Sequence, residues 1–194
     1  MFKTIDKIYV INLKKCKDRL IKFDEQAKKY GIEYERFDAI RHDIGGYGCE
    51  KSFFSIIKQA KEKGYKRIMI FEDDALFLYP KEYVYENVNK FLEEDFDIGY
   101  IGANFAWDGD NDFDPATLDC RCLGRFCVVV NDTAFDWLID NHPTLKKFKS
   151  DRIYRGDAMW SNSPLIKKCM RYPVVGVDNK ETYTFTNCAN TKIP

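Results

Sequence analysis

Three consecutive acidic side chains, Glu72, Asp73 and Asp74, directly follow an apolar run at residues 68–71. A short apolar run that follows a glycine turn, here at Gly64, is typical of a buried and parallel strand. Two carboxylates about 4 Å apart repel each other by about 4 kcal/mol at an effective dielectric constant of about 20. A hard divalent cation such as Mg²⁺ or Mn²⁺ removes that cost, because oxygen ligands suit these ions.

The position of these acids favours phosphate chemistry. In open α/β sheets the ligand crevice lies beyond the carboxyl ends of the strands. We therefore predict that a metal-bridged phosphate compound binds where this strand ends. Acids after a strand can also cap the next helix or face water, and the tripeptide alone does not separate these interpretations.

Length and charge limit the class of protein. A chain of 194 residues with 45% hydrophobic residues fits one domain with a core that needs no disulfides. The 31 basic residues are balanced by 31 acidic ones, so we expect no nucleic-acid partner, whose binding would need a basic excess. The basic run at residues 146–149 favours a solvated helix end over a lipid-binding patch.

The cysteines and the termini favour a cytoplasmic protein. The seven cysteines include a cluster at 120, 122 and 127 that lacks a second CxxC or a paired histidine. We expect buried free thiols, which suit a reducing compartment, rather than a zinc site. The sequence shows no signal peptide, and no apolar run approaches the roughly 18 residues of a transmembrane segment.

Strand and helix patterns alternate over the first half of the chain. We predict strands at 7–13, 33–37, 67–72 and 97–102, helices at 16–30, 49–63 and 81–94, and a glycine-containing loop at 41–48. This order implies an α/β fold with a mostly parallel sheet, right-handed crossovers and helices on both faces.

The second half is less regular. We predict a long loop at 104–119, a strand at 125–130, a helix from Asn131-Asp132 to 140, a short helix at 157–161 and a strand at 171–177. Long loops inside domains are often functional. The acidic part at 108–112 resembles the start of a calcium loop, but position twelve is Asp119 rather than Glu, so a flexible lid is favoured.

Seven stretches, in this order, resemble glycosyltransferase family 25, which includes bacterial lipooligosaccharide sugar transferases and collagen galactosyltransferase relatives. They are Val10-Ile11-Asn12-Leu13 with Asp18-Arg19, Phe37-Asp38-Ala39, Gly48-Cys49-Glu50-Lys51-Ser52, Phe71-Glu72-Asp73-Asp74-Ala75, residues 96–102, residues 124–130 with Ala134 and Leu138, and Gly156-Asp157-Ala158-Met159-Trp160. One departure is Phe53, which stands where the family usually has a histidine. The chain also looks shorter than many members of the family in the acceptor-side half.

The resemblance implies a GT-A-type, Rossmann-like fold as a single glycosyltransferase domain over residues 1–194. Residues 1–103 would form the nucleotide-sugar-binding half and residues 104–194 the acceptor-side half. It also implies a UDP-hexose donor (galactose or glucose), Mn²⁺ or Mg²⁺, a glycan or hydroxylated acceptor, and inversion at the anomeric carbon. A Lewis acid suits a diphosphate leaving group, whose charge develops during transfer.

Carried over residue by residue, the resemblance makes Asp74 the first metal ligand. Asp73 is the next best metal ligand and belongs to the donor-binding residues, and Glu72 would be a third ligand or a support for the loop. Adjacent side chains point in different directions, so we do not expect all of them to reach one ion. Asp178 could complete the metal shell where related folds use a late histidine. The alternative for Asp74 is a cap on the segment that begins at Ala75.

The donor side has its own candidates. Asn12 and Leu13 end the first strand, where the nucleotide would lie. Asp38 could hold a ribose hydroxyl, and otherwise is a turn residue. Ser52 could line the donor crevice or simply pack on its helix.

The remaining candidates are an arginine and the two histidines. Arg19 could bind phosphate, or pair with Asp18 or Glu25 on its own helix face. Of the two histidines, His42 is a weak binding candidate, and His142 looks like a helix terminator before Pro143.

An inverting enzyme needs a general base for the acceptor hydroxyl. Asp157 is the candidate, with Trp160 nearby as an aromatic platform for a sugar. The runners-up are Trp107 and Asp108. The alternative role of Asp157 is to cap the short helix that it begins.

Two other function classes stay open. A non-catalytic nucleotide-sugar-binding module with the same fold is slightly favoured by Phe53 and by the short acceptor-side half. Another phosphate enzyme, such as a phosphohydrolase or a receiver-like domain, fits less well, because both want their acids near the first strand.

Overall fold

A computed structural model of the chain describes residues 2–106, 117–118, 121–170 and 173–177. In the first half the elements are β1 (Lys7–Asn12), α1 (Lys17–Tyr30), β2 (Glu35–Asp38), α2 (Gly45–Glu62), β3 (Arg67–Glu72), β4 (Ala75–Phe77), α3 (Lys81–Phe91) and β5 (Ile98–Ala106). The second half contains β6 (Thr117–Leu118), β7 (Arg121–Asn131), α4 (Asp132–Asp140), α5 (Leu145–Ser150), a 3₁₀ turn (Arg152–Tyr154), α6 (Asp157–Ser161), β8 (Lys167–Met170) and β9 (Val175–Val177).

One mixed sheet of seven strands, in the order β2-β1-β3-β7-β5-β8-β6, organises the described residues. β1 pairs in parallel with β2 and β3, and β5 pairs in parallel with β8. β7 lies antiparallel between β3 and β5, and β6 lies antiparallel to β8. Within this sheet, all strands except β6 and β7 therefore share one direction, which confirms the predicted α/β class with a mostly parallel sheet. β4 and β9 form a separate antiparallel pair.

Helices cover both faces of the sheet, as predicted. α1 and α3 pack on one face, where Phe23 and Val88 join Phe71 of β3 in one apolar cluster. α2, α4 and α6 pack on the other face, where Ile57, Leu138 and Trp160 belong to the second cluster. Successive strand residues point to opposite faces, so each buried strand contributes to both clusters.

The prediction that 41–48 is a loop is wrong for its second part, because α2 begins at Gly45. A Cβ on Gly48 would lie 2.4 Å from the carbonyl oxygen of Ile40, so glycine lets the first turn of α2 approach the chain that leaves β2. The predicted glycine stops of the first two helices are confirmed, whereas α3 ends at Phe91 rather than at 94. Gly31 and Gly64 follow α1 and α2 with φ of 68° and 71°, the left-handed region in which glycine ends helices.

The second half differs from the prediction in its strands. β7 begins at Arg121 rather than at 125. Within the predicted strand 171–177 the structure has β9 at Val175–Val177, with residues 171–172 outside the described part, and β8 at Lys167–Met170 was not predicted. Residues 104–106 of the predicted long loop belong to β5 and residues 117–118 form β6; the rest of that loop lies outside the described residues. The helix starting at the Asn131-Asp132 sequence is confirmed as α4.

The expectation of free thiols holds for Cys16, Cys49, Cys122 and Cys127. It is wrong for Cys169, which is disulfide-bonded. Within the described ranges, every helix is too short or too polar to cross a membrane.

Candidate active site

The carboxyl ends of β1 and β3 bring together the first strand's asparagine and the acidic turn. Their parallel register pairs Ile11 with Glu72, so the next residues of both strands lie side by side. The Asn12 side-chain amide donates a hydrogen bond of 2.7 Å to Asp73 Oδ2. Asn12 and Asp73, two predicted site residues with a sequence separation of 61, are thus in direct contact, and the contact is buried.

Arg19 of α1 binds both aspartates of the turn. Its Nη1 atom lies 3.1 Å from Asp73 Oδ1 and 3.1 Å from Asp74 Oδ2. The Arg19 side chain is 52% exposed, whereas those of Asp73 and Asp74 are 10% and 17% exposed. The alternatives that were predicted for Arg19 were ion pairs with Asp18 or Glu25. Among the described residues, Arg19 forms neither of these pairs. The aspartates instead share one cationic partner at the end of β3.

Asn12 is held in one orientation by its hydrogen bonds. Its amide nitrogen also donates to the Cys16 carbonyl at 2.9 Å, and its oxygen accepts from Arg36 Nε at 3.0 Å. Arg36 in turn binds Asp38 at 2.9 Å. Asp38 is thereby tied to the acidic turn through Arg36 and Asn12, although its own side chain is 61% exposed. Arg36 was not predicted as a site residue. Its only signal in the sequence is that it lies on the same strand as Asp38.

Glu72 has a different environment from the two aspartates. Its carboxylate lies 3.9 Å from the Cys49 thiol of α2. Burial, and then the charge of Asp74, raise the pKa of Glu72 to about 8. Burial and the nearby Glu72 also raise the pKa of the Cys49 thiol well above its usual range. Glu72 is therefore mostly protonated at neutral pH in the protein as it stands, and its contact is with α2 rather than with Arg19.

A cavity of about 530 Å³ opens beside these groups, within the size range of small-molecule sites. It is lined by Ile11, Leu13, Lys15, Cys16, Arg19, Ala39, Ile40, Arg41, His42, Asp43, Gly45, Cys49, Glu72 and Asp73. Of the predicted residues, Leu13, Arg19, Glu72, Asp73 and His42 face the cavity. The sequence analysis missed Lys15 and Arg41, which stand in the connections after β1 and β2.

The amino end of α2 forms another part of the cavity wall through Gly45. Ile44 precedes this helix and gives no side-chain cap. Ser52 lies one layer deeper, where its buried hydroxyl accepts from Ile40 N at 2.8 Å and donates to the Gly48 carbonyl at 2.9 Å. Ser52 thus holds the loop after β2 against α2. Of the two roles that were predicted, lining the donor crevice and packing on its helix, these contacts are of the second kind.

Asp157 lies in a second group of charged side chains. Its Oδ1 forms an ion pair of 2.9 Å with Arg125 Nε, and its Oδ2 accepts from Gly124 N at 2.7 Å. Asp157 does not cap α6. The residue before this helix is Gly156, and no side chain caps the helix. Neither Asp157 nor Arg125 lines the cavity; Arg125 pairs with Glu50 of α2, the residue that follows the cavity-lining Cys49.

The predicted sugar platform at Trp160 is wrong. Trp160 is fully buried, and its indole nitrogen donates to Glu50 Oε1 at 3.1 Å. An aromatic ring without exposed surface cannot stack on a sugar. His142 follows the end of α4, as predicted, and packs its ring against Phe54.

Several predicted residues lie outside the described part of the chain: Asp178, Trp107, Asp108 and the acidic stretch 108–112. Among the described residues, no group of three or more His, Cys, Asp or Glu side chains is arranged to hold a metal ion.

Comparison with known proteins gives likenesses in structure only. No family model matches the chain, and no curated protein matches it. Protein A197 from STIV matches with a TM-score of 0.49 and 12% identity, over 91% of this chain and 95% of that chain. A glycosyltransferase involved in the glycosylation of the major capsid of PBCV-1 matches with a TM-score of 0.43 and 12% identity, over 76% and 74%.

An inositol-1-phosphate CTP transferase from T. maritima matches with a TM-score of 0.39 and 12% identity, over 88% of this chain and 86% of that chain. The neighbours thus include a glycosyltransferase and a nucleotidyltransferase. None of these likenesses, all below a TM-score of 0.5, bears on what this chain does.

Proposed function

We propose that the chain is a metal-dependent glycosyltransferase that binds a UDP-hexose in the cavity at the ends of β1 and β3. It would transfer galactose or glucose to a glycan or hydroxylated acceptor with inversion. One observation carries this proposal: the Asp73 and Asp74 carboxylates lie within 3.1 Å of the same guanidinium nitrogen, beside a cavity that Asp73 lines. The resemblance of the sequence to glycosyltransferase family 25 supports the same class.

The cavity suits a nucleoside diphosphate in size and in charge. Lys15, Arg19 and Arg41 bring cationic groups to its wall, and α2 directs its amino end toward it at Gly45. The partial positive charge of a helix amino end and its unbonded N–H groups favour phosphate. Leu13 and Ile11 supply the apolar lining against which a base can pack.

The two aspartates fit a divalent ion of the magnesium type. Such an ion is commonly held by one or two carboxylates together with substrate phosphates, so a cage of three protein ligands is not required. Asp73 and Asp74 offer hard oxygen ligands that already converge on a cation, the Arg19 guanidinium. When bound, Mn²⁺ or Mg²⁺ would neutralise the charge that develops on the diphosphate leaving group. Glu72 would support the turn, and Asp178 is a further candidate ligand.

The general base of the proposed reaction is Asp157. Its carboxylate forms an ion pair with Arg125 and accepts a hydrogen bond from Gly124 N. Its side chain is one-third exposed, so one part of the carboxylate is accessible. The acceptor hydroxyl would give its proton to this group as the hexose is transferred.

A thermal-shift assay tests the donor and the ion together. We expect UDP with Mn²⁺ to raise the melting temperature of the chain by mass action, and a UDP-hexose panel to rank the donors. Asp74→Asn should remove the Mn²⁺-dependent part of the shift. Asp136→Asn, at an exposed carboxylate that pairs with Lys61 on α2, is the matched control and should keep it. An unchanged shift in the Asp74 variant rejects the metal role, and no shift with any nucleotide rejects the function.

A non-catalytic nucleotide-sugar-binding module is the second candidate. The observation that favours it is Phe53, which is fully buried where the resembled family has a histidine. Donor hydrolysis separates the two candidates. Release of hexose from radiolabelled UDP-hexose, lost in Asp157→Asn, supports the enzyme. Binding without release in the wild-type chain supports the module.

A further inference from the structure

The most enclosed cationic side chain among the described residues is the Arg125 guanidinium on β7. The Arg125 side chain is 3% exposed. Its guanidinium carbon lies 4.2 Å from the centre of the Phe53 ring and 4.7 Å from that of the Trp160 ring. Burial of a charged group is costly unless partners compensate it, so the partners of Arg125 explain why it is there.

Two carboxylates compensate this single cation, and they do so differently. Glu50 of α2 is fully buried and lies 2.8 Å from Arg125 Nη2, while its other oxygen accepts from Trp160. Glu50 alone therefore balances the charge and is satisfied on both oxygens. Asp157 uses a separate nitrogen, Nε, and is one-third exposed.

Both oxygens of the Asp157 carboxylate have a neighbour. Arg125 Nε lies 2.9 Å from Oδ1 as an ion pair that lacks hydrogen-bond geometry, and Gly124 N donates a hydrogen bond of 2.7 Å to Oδ2. Gly156 keeps room for this arrangement, because a Cβ there would lie 3.2 Å from Arg125 Nη2 and 3.3 Å from Glu50 Oε2.

We infer that Arg125 is a positioning residue that holds the Asp157 carboxylate in one orientation. Glu50 neutralises Arg125 and does not take part in the reaction. The packing of Phe53 against the guanidinium gives a physical reason for an aromatic residue at that position. This inference rests on the proposed function, in which Asp157 is the general base.

Donor hydrolysis with radiolabelled UDP-hexose tests the inference, since water serves as the acceptor. Lysine keeps one charge but lacks the planar fork that contacts two carboxylates and two rings. We expect Arg125→Lys to lower kcat about 10- to 100-fold, the scale of a misplacement of about 1 Å. The KM for the donor should stay within about twofold, because Arg125 does not line the cavity.

Glu50→Gln is the matched control, because it disturbs the same buried network and leaves the Asp157 contacts in place. It should lower the melting temperature and leave kcat within about threefold of the wild type. Equal losses of kcat in the two variants would mean that the network is merely structural and would overturn the inference. A loss in Arg125→Lys that is confined to KM would overturn it as well.

Crystal structures of both variants give a readout that needs no substrate. The Asp157 Oδ2–Gly124 N contact should break in Arg125→Lys and persist in Glu50→Gln; the reverse, or no change in either, refutes the inference. If the wild-type chain binds no nucleotide, the proposed function fails, and these structures still decide whether Arg125 positions Asp157. If Arg125→Lys does not fold, Arg125→Gln takes its place in both measurements.

Discussion

At the scale of single residues, Arg19 acts as a built-in counterion for the acidic turn. Its guanidinium bridges Asp73 and Asp74, which would otherwise repel each other near the end of β3. Burial alone would lower the pKa of Arg19, but the hydrogen bond to Asp73 and the negative charges of Asp74 and Asp73 raise it above its usual value. Arg19 therefore stays charged. A divalent ion that binds the same two carboxylates would take over this neutralising role.

We therefore expect Arg19→Ala to lower the melting temperature in buffer that contains a chelator. The loss should be small, about 1 kcal/mol or less, because the Arg19 side chain is half exposed. Mn²⁺ should then stabilise the variant more than it stabilises the wild type, since the paired carboxylates lack their cation. Differential scanning calorimetry over a Mn²⁺ series measures both effects.

The control for this prediction is Lys15→Ala, which removes a cation that lines the same cavity. It should weaken nucleotide binding without increasing the effect of Mn²⁺ alone. An equal Mn²⁺ response in the wild type and in Arg19→Ala would show that the ion does not bind the carboxylates that Arg19 bridges.

At the scale of elements, the amino end of α2 depends on one glycine. Gly48 lies in the first turns of the helix, where an added Cβ would meet the Ile40 carbonyl oxygen at 2.4 Å and His42 N at 3.1 Å. Both contacts are with backbone, which cannot swing away as a side chain would. The loop after β2 and the start of α2 are held together at this point, and both line the cavity.

Gly48→Ala should consequently destabilise the chain by about 1–3 kcal/mol, the usual cost of overpacking. In a chain of this size, each kcal/mol corresponds to about 2–4 °C in melting temperature. Thermal denaturation followed by circular dichroism measures the change. Gly45→Ala is the matched control, because a Cβ at Gly45 meets nothing within 4 Å. If the two alanine variants melt together, the close approach at Gly48 does not limit stability.

The contacts of α2 also explain what the sequence could predict and what it could not. Helix ends at Gly31 and Gly64 were predictable, because a glycine after an amphipathic run is a local signal. The start of α2 was not predictable, because glycines at the start of a helix are also typical of a loop. Only the close approach of the Ile40 backbone, which lies outside the helix, explains Gly48. The Asp73–Asp74 turn was found from adjacent residues, whereas Arg36 and Arg125 were missed. Their partners are separated from them in sequence by as many as 75 residues.

At the scale of the whole molecule, the arrangement of strands differs from what alternating βα units suggest. β7 inserts antiparallel between β3 and β5, so these two strands, consecutive in the predicted alternation, are not neighbours. Its apolar residues 126–130 resemble those of any buried strand, and neither direction nor neighbour can be read from them. The insertion joins residues 121–131 to the first half of the chain in a single sheet, which brings Arg125 into contact with Glu50 of α2.

Hydrogen exchange read by mass spectrometry tests this placement of β7. Val128, Val129, Met69 and Ile70 are fully buried at the centre of the sheet, where β3 and β7 are paired on both sides. Amides there should open only with global unfolding, while the edge strand β2, with half-buried and exposed residues, should exchange by local opening. Peptides that cover 127–130 should therefore exchange as slowly as those that cover 68–71, and far more slowly than those that cover 35–38. Rapid exchange at 127–130 beside slow exchange at 68–71 would put β7 at an edge and would contradict the strand order.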